Sequence, residues 1–268
     1  MMQLDGSVVL VTGAASGIGR SMVTRAVARG AKAVYASDVN EPELAKTAEM
    51  AGGTVITMRC DVSKEADCTA QVERALADHG HIDLLCSNAG VGFSDGPDWM
   101  ATSQSNDQWA MAWGINVMAH VYFARAALPS MIKRGTGNFI ITASAAGLIT
   151  QTGDAVYSTT KHAAVGFAES LAITHGDDGI GVTLLCPQAV NTNLIKLVEG
   201  GAASVDGVLE PDQVVDLTFD GAEQGEFLVT AHDTVLGYWK NKVENYGRWV
   251  GGMRKFRRML IEKTGRPV

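Results

Sequence analysis

The chain has 268 residues, of which 46% are hydrophobic and 19% charged, and carries a formal net charge of −7. That balance belongs to a folded globular chain and argues against disorder or nucleic acid as the main partner, and no apolar run approaches the ~20 residues that span a bilayer. The first residues enter a strand pattern directly, with no basic region or cleavage site, so a cytoplasmic protein is expected.

Taken in chain order, short apolar runs at 7–12, 33–37, 55–59, 83–87, 138–142, 182–186 and 227–230 read as buried strands. Helical spacing fills the gaps at 17–29, 41–51, 64–79, 107–134 and 154–175. Alternation of this kind predicts a single doubly wound parallel sheet of about seven strands, Rossmann-like, with helices on both faces and ligands at its carboxyl edge. No repeat or linker divides the chain, so residues 1–268 are expected to form one domain. Residues 188–223 break the rhythm and are predicted to form a lid over a ligand.

Residues 234–262 predict a basic amphipathic helix. Trp239, Val243, Tyr246, Trp249, Met253, Phe256 and Leu260 recur at three or four residues, and from Lys240 onward 9 Lys and Arg stand against 2 Asp and Glu. Gly247, Gly251 and Gly252 weaken such a helix in isolation, so packing on its own domain or on a neighbouring subunit is expected and a membrane role is not.

Cys60, Cys68, Cys86 and Cys186 form no CxxC pair and read as small reduced core residues. The histidines show no HExxH spacing, and no metal is expected.

The first strand runs into "TGAASGIG", residues 12–19, and then into a helix. A strand, glycine turn and helix N-terminus present backbone N–H groups to a phosphate, and missing side chains let a pyrophosphate approach closely. The second strand ends at Asp38, whose carboxylate can accept from ribose hydroxyls and would repel a 2′-phosphate, which favours NAD over NADP. The nearest cation is Arg20, which the sequence alone leaves free to cap or solvate its helix.

From these residues onward the chain resembles the short-chain dehydrogenase/reductase family over about 7–192. The resemblance rests on "TGAASGIG", Asp38, "CDV" at 60–62, "SNAG" at 87–90, Asn116 in "GINV", Ser144 in "TASAAG", "YSTTK" at 157–161 and "CPQAVNT" at 186–192. It implies that Gly13, Gly17 and Gly19 hold the pyrophosphate with Ser16 and Ile18 beside them, and that Asp61 and Val62 contact adenine. Asn88, Ala89 and Gly90 are implied to support the adenosine side and the central sheet. Pro187 and Thr192 are implied at the nicotinamide, Thr192 on its carboxamide, and Asn116, Ser144, Tyr157 and Lys161 as the catalytic tetrad. Family members are commonly tetramers, so a homo-oligomer, tetramer or dimer, is expected. Two positions depart from the family pattern: Ser87 stands in place of Asn, and Gln188 in place of Gly, where a long amide could reach the substrate or the nicotinamide.

Residues four apart share a helix face, so Tyr157 and Lys161 are expected to project together. The ammonium, with the charge of an oxidised nicotinamide, is expected to lower the tyrosine from its usual ~10 and make it a base for a secondary alcohol. Ser144 would orient the substrate oxygen, and Asn116 would place a water between Lys161 and solvent. Trp99, Met100, Gln151, Gln188 and 191–200 are candidates for the substrate wall. The leading expectation is an NAD-dependent enzyme acting on a small-molecule secondary alcohol or ketone. The alternatives are a non-catalytic dinucleotide-sensing protein and an epimerase or dehydratase of the same family.

Overall fold

In the computed structural model, which describes residues 2–196, 202–265 and 267, seven parallel strands form one sheet in the order β3-β2-β1-β4-β5-β6-β7. The strands are β1 (Val8–Thr12), β2 (Ala33–Asp38), β3 (Val55–Arg59), β4 (Leu84–Ser87), β5 (Gly137–Thr142), β6 (Ile180–Leu185) and β7 (Leu228–Val229). Parallel neighbours need crossovers, and here helices supply them: α1 (Gly17–Ala28), α2 (Glu41–Ala51), α3 (Glu65–His79), α4 (Asn106–Trp113), α5 (Ala119–Arg134), α6 (Ala146–Ile149), α7 (Ala155–His175), α8 (Asn193–Lys196), α9 (Pro211–Gln224), α10 (Asp233–Glu244) and α11 (Tyr246–Thr264).

Successive strand residues point to opposite faces, and the core divides accordingly. Val8 and Leu10 join Val72 of α3, Phe123 of α5 and Ala168 of α7 on one side. Val9 and Val11 join Met22 of α1, Leu44 of α2 and Phe219 of α9 on the other. The strand order reverses between β1 and β4, and a crevice opens at the carboxyl ends on such a switch point.

Three elements differ from the sequence reading. The second half of the predicted lid is α9, whose Val214, Val215 and Phe219 are buried in the core, so any cover is confined to residues before 211; 197–201 lie outside the described residues. The predicted helix over 107–134 contains a π-helical turn at Gly114–Met118 between α4 and α5. The basic tail is two helices, because Asn245 ends α10 and caps α11 by accepting from the Arg248 N–H at 2.9 Å. Its stripe is only partly covered: Leu260 is buried, Trp249, Met253 and Phe256 half-buried, and Val243 and Tyr246 exposed. Among the described residues no helix is long and apolar enough to cross a membrane.

Candidate active site

A cavity of about 1130 Å³ occupies the crevice and is bordered at one end by the glycine loop and at the other by Ser144, Tyr157 and Lys161. At the loop, a Cβ on Gly19 would lie 2.1 Å from the Gly13 carbonyl oxygen and one on Gly13 would lie 2.9 Å from Ala89 Cα. Only glycine lets loop, helix and β4 approach this closely, and the first-turn N–H groups of α1 at Gly17, Ile18 and Gly19 lack intrahelical acceptors. Ser16 caps the helix without a side-chain bond and lines the cavity. Thr12 Oγ1 accepts from the N–H groups of Asn88 and Ala89 at 2.9 and 3.0 Å. The Asn88 amide donates to Thr12 O at 3.0 Å and accepts from Thr142 Oγ1 at 3.1 Å, tying the ends of β1, β4 and β5 together.

Asp38 Oδ2 accepts from Ala15 N–H at 3.0 Å and Oδ1 from Asn40 N–H at 2.9 Å, which holds the carboxylate at the cavity edge. Arg20 is turned away: its guanidinium pairs with Glu43 at 2.8 Å and donates to Thr47 and the Ala15 carbonyl. Cys60 and Val62 border the cavity, whereas the Asp61 carboxylate accepts from Ser63 Oγ at 2.7 Å, a bond that holds it below the usual carboxylate range. All four cysteines are buried and unbridged.

At the other end, α7 presents Tyr157 and Lys161 on one face, with Lys161 Nζ 5.7 Å from the tyrosine ring centre. Nζ donates to the Thr142 carbonyl at 2.8 Å, and burial pushes the ammonium down to about 8. The Tyr157 phenol is pushed up to about 12, first by burial and then by Asp154 and Cys186, while hydrogen bonding with Ser144 acts in the opposite sense. In the protein alone the phenol is thus raised, whereas the expected lowering counted the charge of an oxidised nicotinamide as well. The sequence shows a cation one turn away, but Lys161 Nζ is committed to the Thr142 carbonyl, and desolvation of the half-buried ring dominates. Ser144 Oγ accepts from Ala146 N–H at 3.1 Å and lies 3.4 Å from the Pro187 carbonyl.

Asn116 sits in the π-helical turn, where its amide donates to Val91 O at 2.9 Å and Thr160 Oγ1 at 3.0 Å and accepts from Val91 N–H at 2.9 Å. Both amide hydrogens are therefore spent on bracing the β4 loop against α7, and only one lone pair of Oδ1 stays free. A Cβ on Gly90 would lie 3.3 Å from both Asn116 Oδ1 and Lys161 Nζ, so the glycine keeps the space between them open. Ser87, the first departure from the family pattern, hydrogen-bonds His120 Nδ1 at 2.7 Å, and burial pushes that imidazole down to about 3.

On the substrate side, Phe93, Pro97, Gln104, Gln151, Asp154, Gln188 and Leu194 border the cavity, but Trp99 and Met100 do not, Met100 being exposed instead. Sequence reasoning missed Asp154, the N-cap residue of α7, which stands three residues before Tyr157 and acts on it electrostatically. It is buried, accepts from Gln151 Nε2 at 2.8 Å and Ser158 Oγ at 3.1 Å, and is pushed up to about 8, first by burial and then by Asp95. Asp95 in turn caps α7 from the β4 loop, accepting from Ala155 N–H at 2.9 Å. Thr150 adopts φ 61° just before Gln151, a left-handed conformation uncommon outside glycine and often found beside functional sites.

A glycine-cradled crevice that ends in a half-buried tyrosine and a buried lysine defines a dinucleotide-binding oxidoreductase class of site. The family model for short chain dehydrogenases matches residues 7–200, and the chain belongs to the short-chain dehydrogenase/reductase family. It is 34% identical to 3beta-hydroxysteroid dehydrogenase 2 of Eggerthella lenta over 195 residues, 71% of this chain and 74% of that protein. A short-chain dehydrogenase/reductase from Burkholderia phymatum, crystallised with NAD, superposes with a TM-score of 0.83 at 28% identity, covering 91% of this chain and 96% of that one. A metagenomic short-chain oxidoreductase in complex with NADP gives 0.71 at 28% identity, covering 85% and 96%.

Proposed function

We propose that this chain is an NAD-dependent oxidoreductase that interconverts a secondary alcohol and its ketone, with Tyr157 as general acid and base. The observation that carries the reading is the meeting of Tyr157, Ser144 and Lys161 at the end of a cavity whose other end is the glycine cradle. The cradle fits the dinucleotide, since Gly13 and Gly19 leave no room for a Cβ and the loop presents N–H groups where a diphosphate would lie. A bound nicotinamide dinucleotide would supply the hydride donor or acceptor and, when oxidised, a further positive charge beside Tyr157. Asp38 would hold the adenosine ribose and its carboxylate would repel a 2′-phosphate, while Arg20 is committed to Glu43 and Arg59, opposite Asp38 on β3, faces Glu41, which favours NAD.

In the reductive direction Tyr157 gives its phenolic proton to the substrate oxygen as the carbonyl carbon gains hydride; oxidation returns that proton to the phenolate. A phenol held near 12 keeps its proton at neutral pH, which suits the acid role. Ser144 donates to the same substrate oxygen and fixes its orientation. Lys161 holds positive charge beneath the ring, and the free lone pair of Asn116 with the space at Gly90 accommodates a water that returns protons from solvent. Assembly of copies fits the groove between α5 and α7, which is bordered by Val121, Leu128, Phe167 and Leu171.

Tyr157→Phe tests the reading. Turnover of a ketone panel with the reduced dinucleotide should fall by about 10²-fold or more while dinucleotide affinity, measured by fluorescence titration, stays within about threefold. Full activity in that variant would remove the acid assignment.

A further inference from the structure

Lys242 of α10 is 5% exposed, and among the described basic residues of the tail it alone is buried. Its partners are a carbonyl, an imidazole and a ring: Nζ donates to Leu148 O at 2.6 Å, stands 3.2 Å from His162 Nε2 and lies 5.4 Å from the centre of the Tyr246 ring. His162 Nδ1 is 2.8 Å from the Ser158 carbonyl, which can only accept, so Nδ1 carries the ring proton and Nε2 accepts from the ammonium. Burial and the Lys242 charge lower that imidazole, against the pull of the Ser158 carbonyl, and keep it in the accepting form.

What the ammonium joins borders the cavity. The helix α6 is a single turn, so the Leu148 carbonyl has no intrahelical donor and takes Lys242 instead. Two residues later the left-handed Thr150 leads into Gln151, which borders the cavity together with Asp154. The Gln151 N–H donates to Ser158 Oγ at 3.0 Å, and the same hydroxyl holds Asp154, so residues 149–154 are fixed at their start by Lys242 and along α7 by Ser158. Both anchors meet on one face of α7, where His162 follows Ser158 by one turn. A methionine would seat α10 on α6 without the cost of burying a charge, whereas an ammonium is satisfied only when the α6 carbonyl and the α7 imidazole stand in fixed places.

We propose, building on the dehydrogenase reading above, that Lys242 is a positioning residue for the substrate: by joining the end of α6 to α7 through Leu148 and His162, it fixes where Gln151 and Asp154 stand in the cavity wall. The tail helix α10 then tunes which substrates fit, without touching the reacting atoms or the glycine cradle.

The test combines steady-state reduction of acetophenone, cyclohexanone and 2-octanone by NADH with hydrogen exchange of the full chain, read by mass spectrometry. Lys242→Met keeps the length and loses the ammonium. It should raise KM for the ketone that the wild-type protein reduces best by about tenfold, leave kcat and the KM for NADH within about twofold, and speed amide exchange in 149–154 by about tenfold or more. His162→Leu should act in the same direction, and it carries the test if Lys242→Met does not fold. His162→Gln, whose amide offers an acceptor to Lys242 and a donor to Ser158, should recover most of the loss. A role in seating the tail alone would speed exchange in α10 and α11 and leave both the ketone KM and exchange in 149–154 unchanged, which overturns the proposal. Faster exchange in 149–154 with an unchanged KM overturns it as well and leaves the dehydrogenase reading standing. Wild-type protein that reduces none of the ketones overturns that reading and the substrate role with it, and exchange in 149–154 then decides the anchoring by itself.

Discussion

Replacing Asp154 by Asn should stabilise the protein, and by an amount that grows with pH. In the fold Asp154 is 6% exposed and its carboxyl is held up at about 8, against an ordinary value of 3.8. A raised acid binds its proton more tightly folded than unfolded, so folding stability is undiminished below about 4, falls as pH rises between the two values, and has lost its full share above about 8. Each pH unit in that window costs about 1.4 kcal/mol, so between pH 5 and pH 8 the wild-type protein should lose up to about 4 kcal/mol that the Asn variant keeps. The bonds from Gln151 and Ser158 help the carboxylate and set that figure as the upper bound. Urea unfolding of both proteins at pH 5, 6.5 and 8 measures it directly, as the difference in stability between variant and wild type at each pH. A difference that stays flat across the three would mean that Asp154 ionises in the fold as it does in the unfolded chain, and the burial argument would be wrong.

Two further substitutions probe the cradle and the core. Asp38→Ser should weaken NAD binding by about tenfold or more through loss of charged acceptors for the ribose, and should narrow the margin over NADP, as read from paired titrations. Phe219→Ala, which empties a fully buried site between α9 and the sheet, should cost about 3–5 kcal/mol in chemical denaturation and confirm α9 as core, not lid.

What the sequence reveals about this molecule is what repeats at fixed spacing. Strand runs, the glycine turn and the i, i+4 pair of Tyr157 and Lys161 follow from local geometry, and the structure places them as read. Long-range consequences were out of reach. The partial desolvation of Tyr157 depends on groups from other elements, Ser144, Cys186 and the Gly92 loop among them, so its upward shift could not be seen from the helix alone. The commitment of Asn116 to Val91 and Thr160 depends on how the β4 loop meets α7. The helix α9 is a different kind of miss, because its signals were present: Pro211 at the first helical position, Gly225 in the left-handed conformation at the end, and Val214, Val215 and Phe219 in between. The stripe is narrow and amply flanked by acids, whose partners are Arg25 on α1 and Arg29 at its C-terminal cap, almost two hundred residues away in sequence. The break at Asn245 was hidden for the opposite reason, since the apolar recurrence continues through it while the capping bond to Arg248 interrupts the backbone.

The charges around Tyr157 bear on direction as well as position. Lys161 is pushed down to about 8 and Asp154 up to about 8, so both titrate in one window although burial moves them oppositely. Below it the surroundings of the phenol hold a cation and a neutral acid; above it they hold a neutral amine and an anion. Both changes oppose negative charge at the substrate oxygen and on the phenolate, so alkaline conditions free the base for oxidation only while removing the field that stabilises it. Reduction needs no free phenolate at the start and draws on the cation as negative charge develops on the carbonyl oxygen. On the proposed reading, ketone reduction should therefore run faster below that window than above it, which a pH profile of the reductive rate measures.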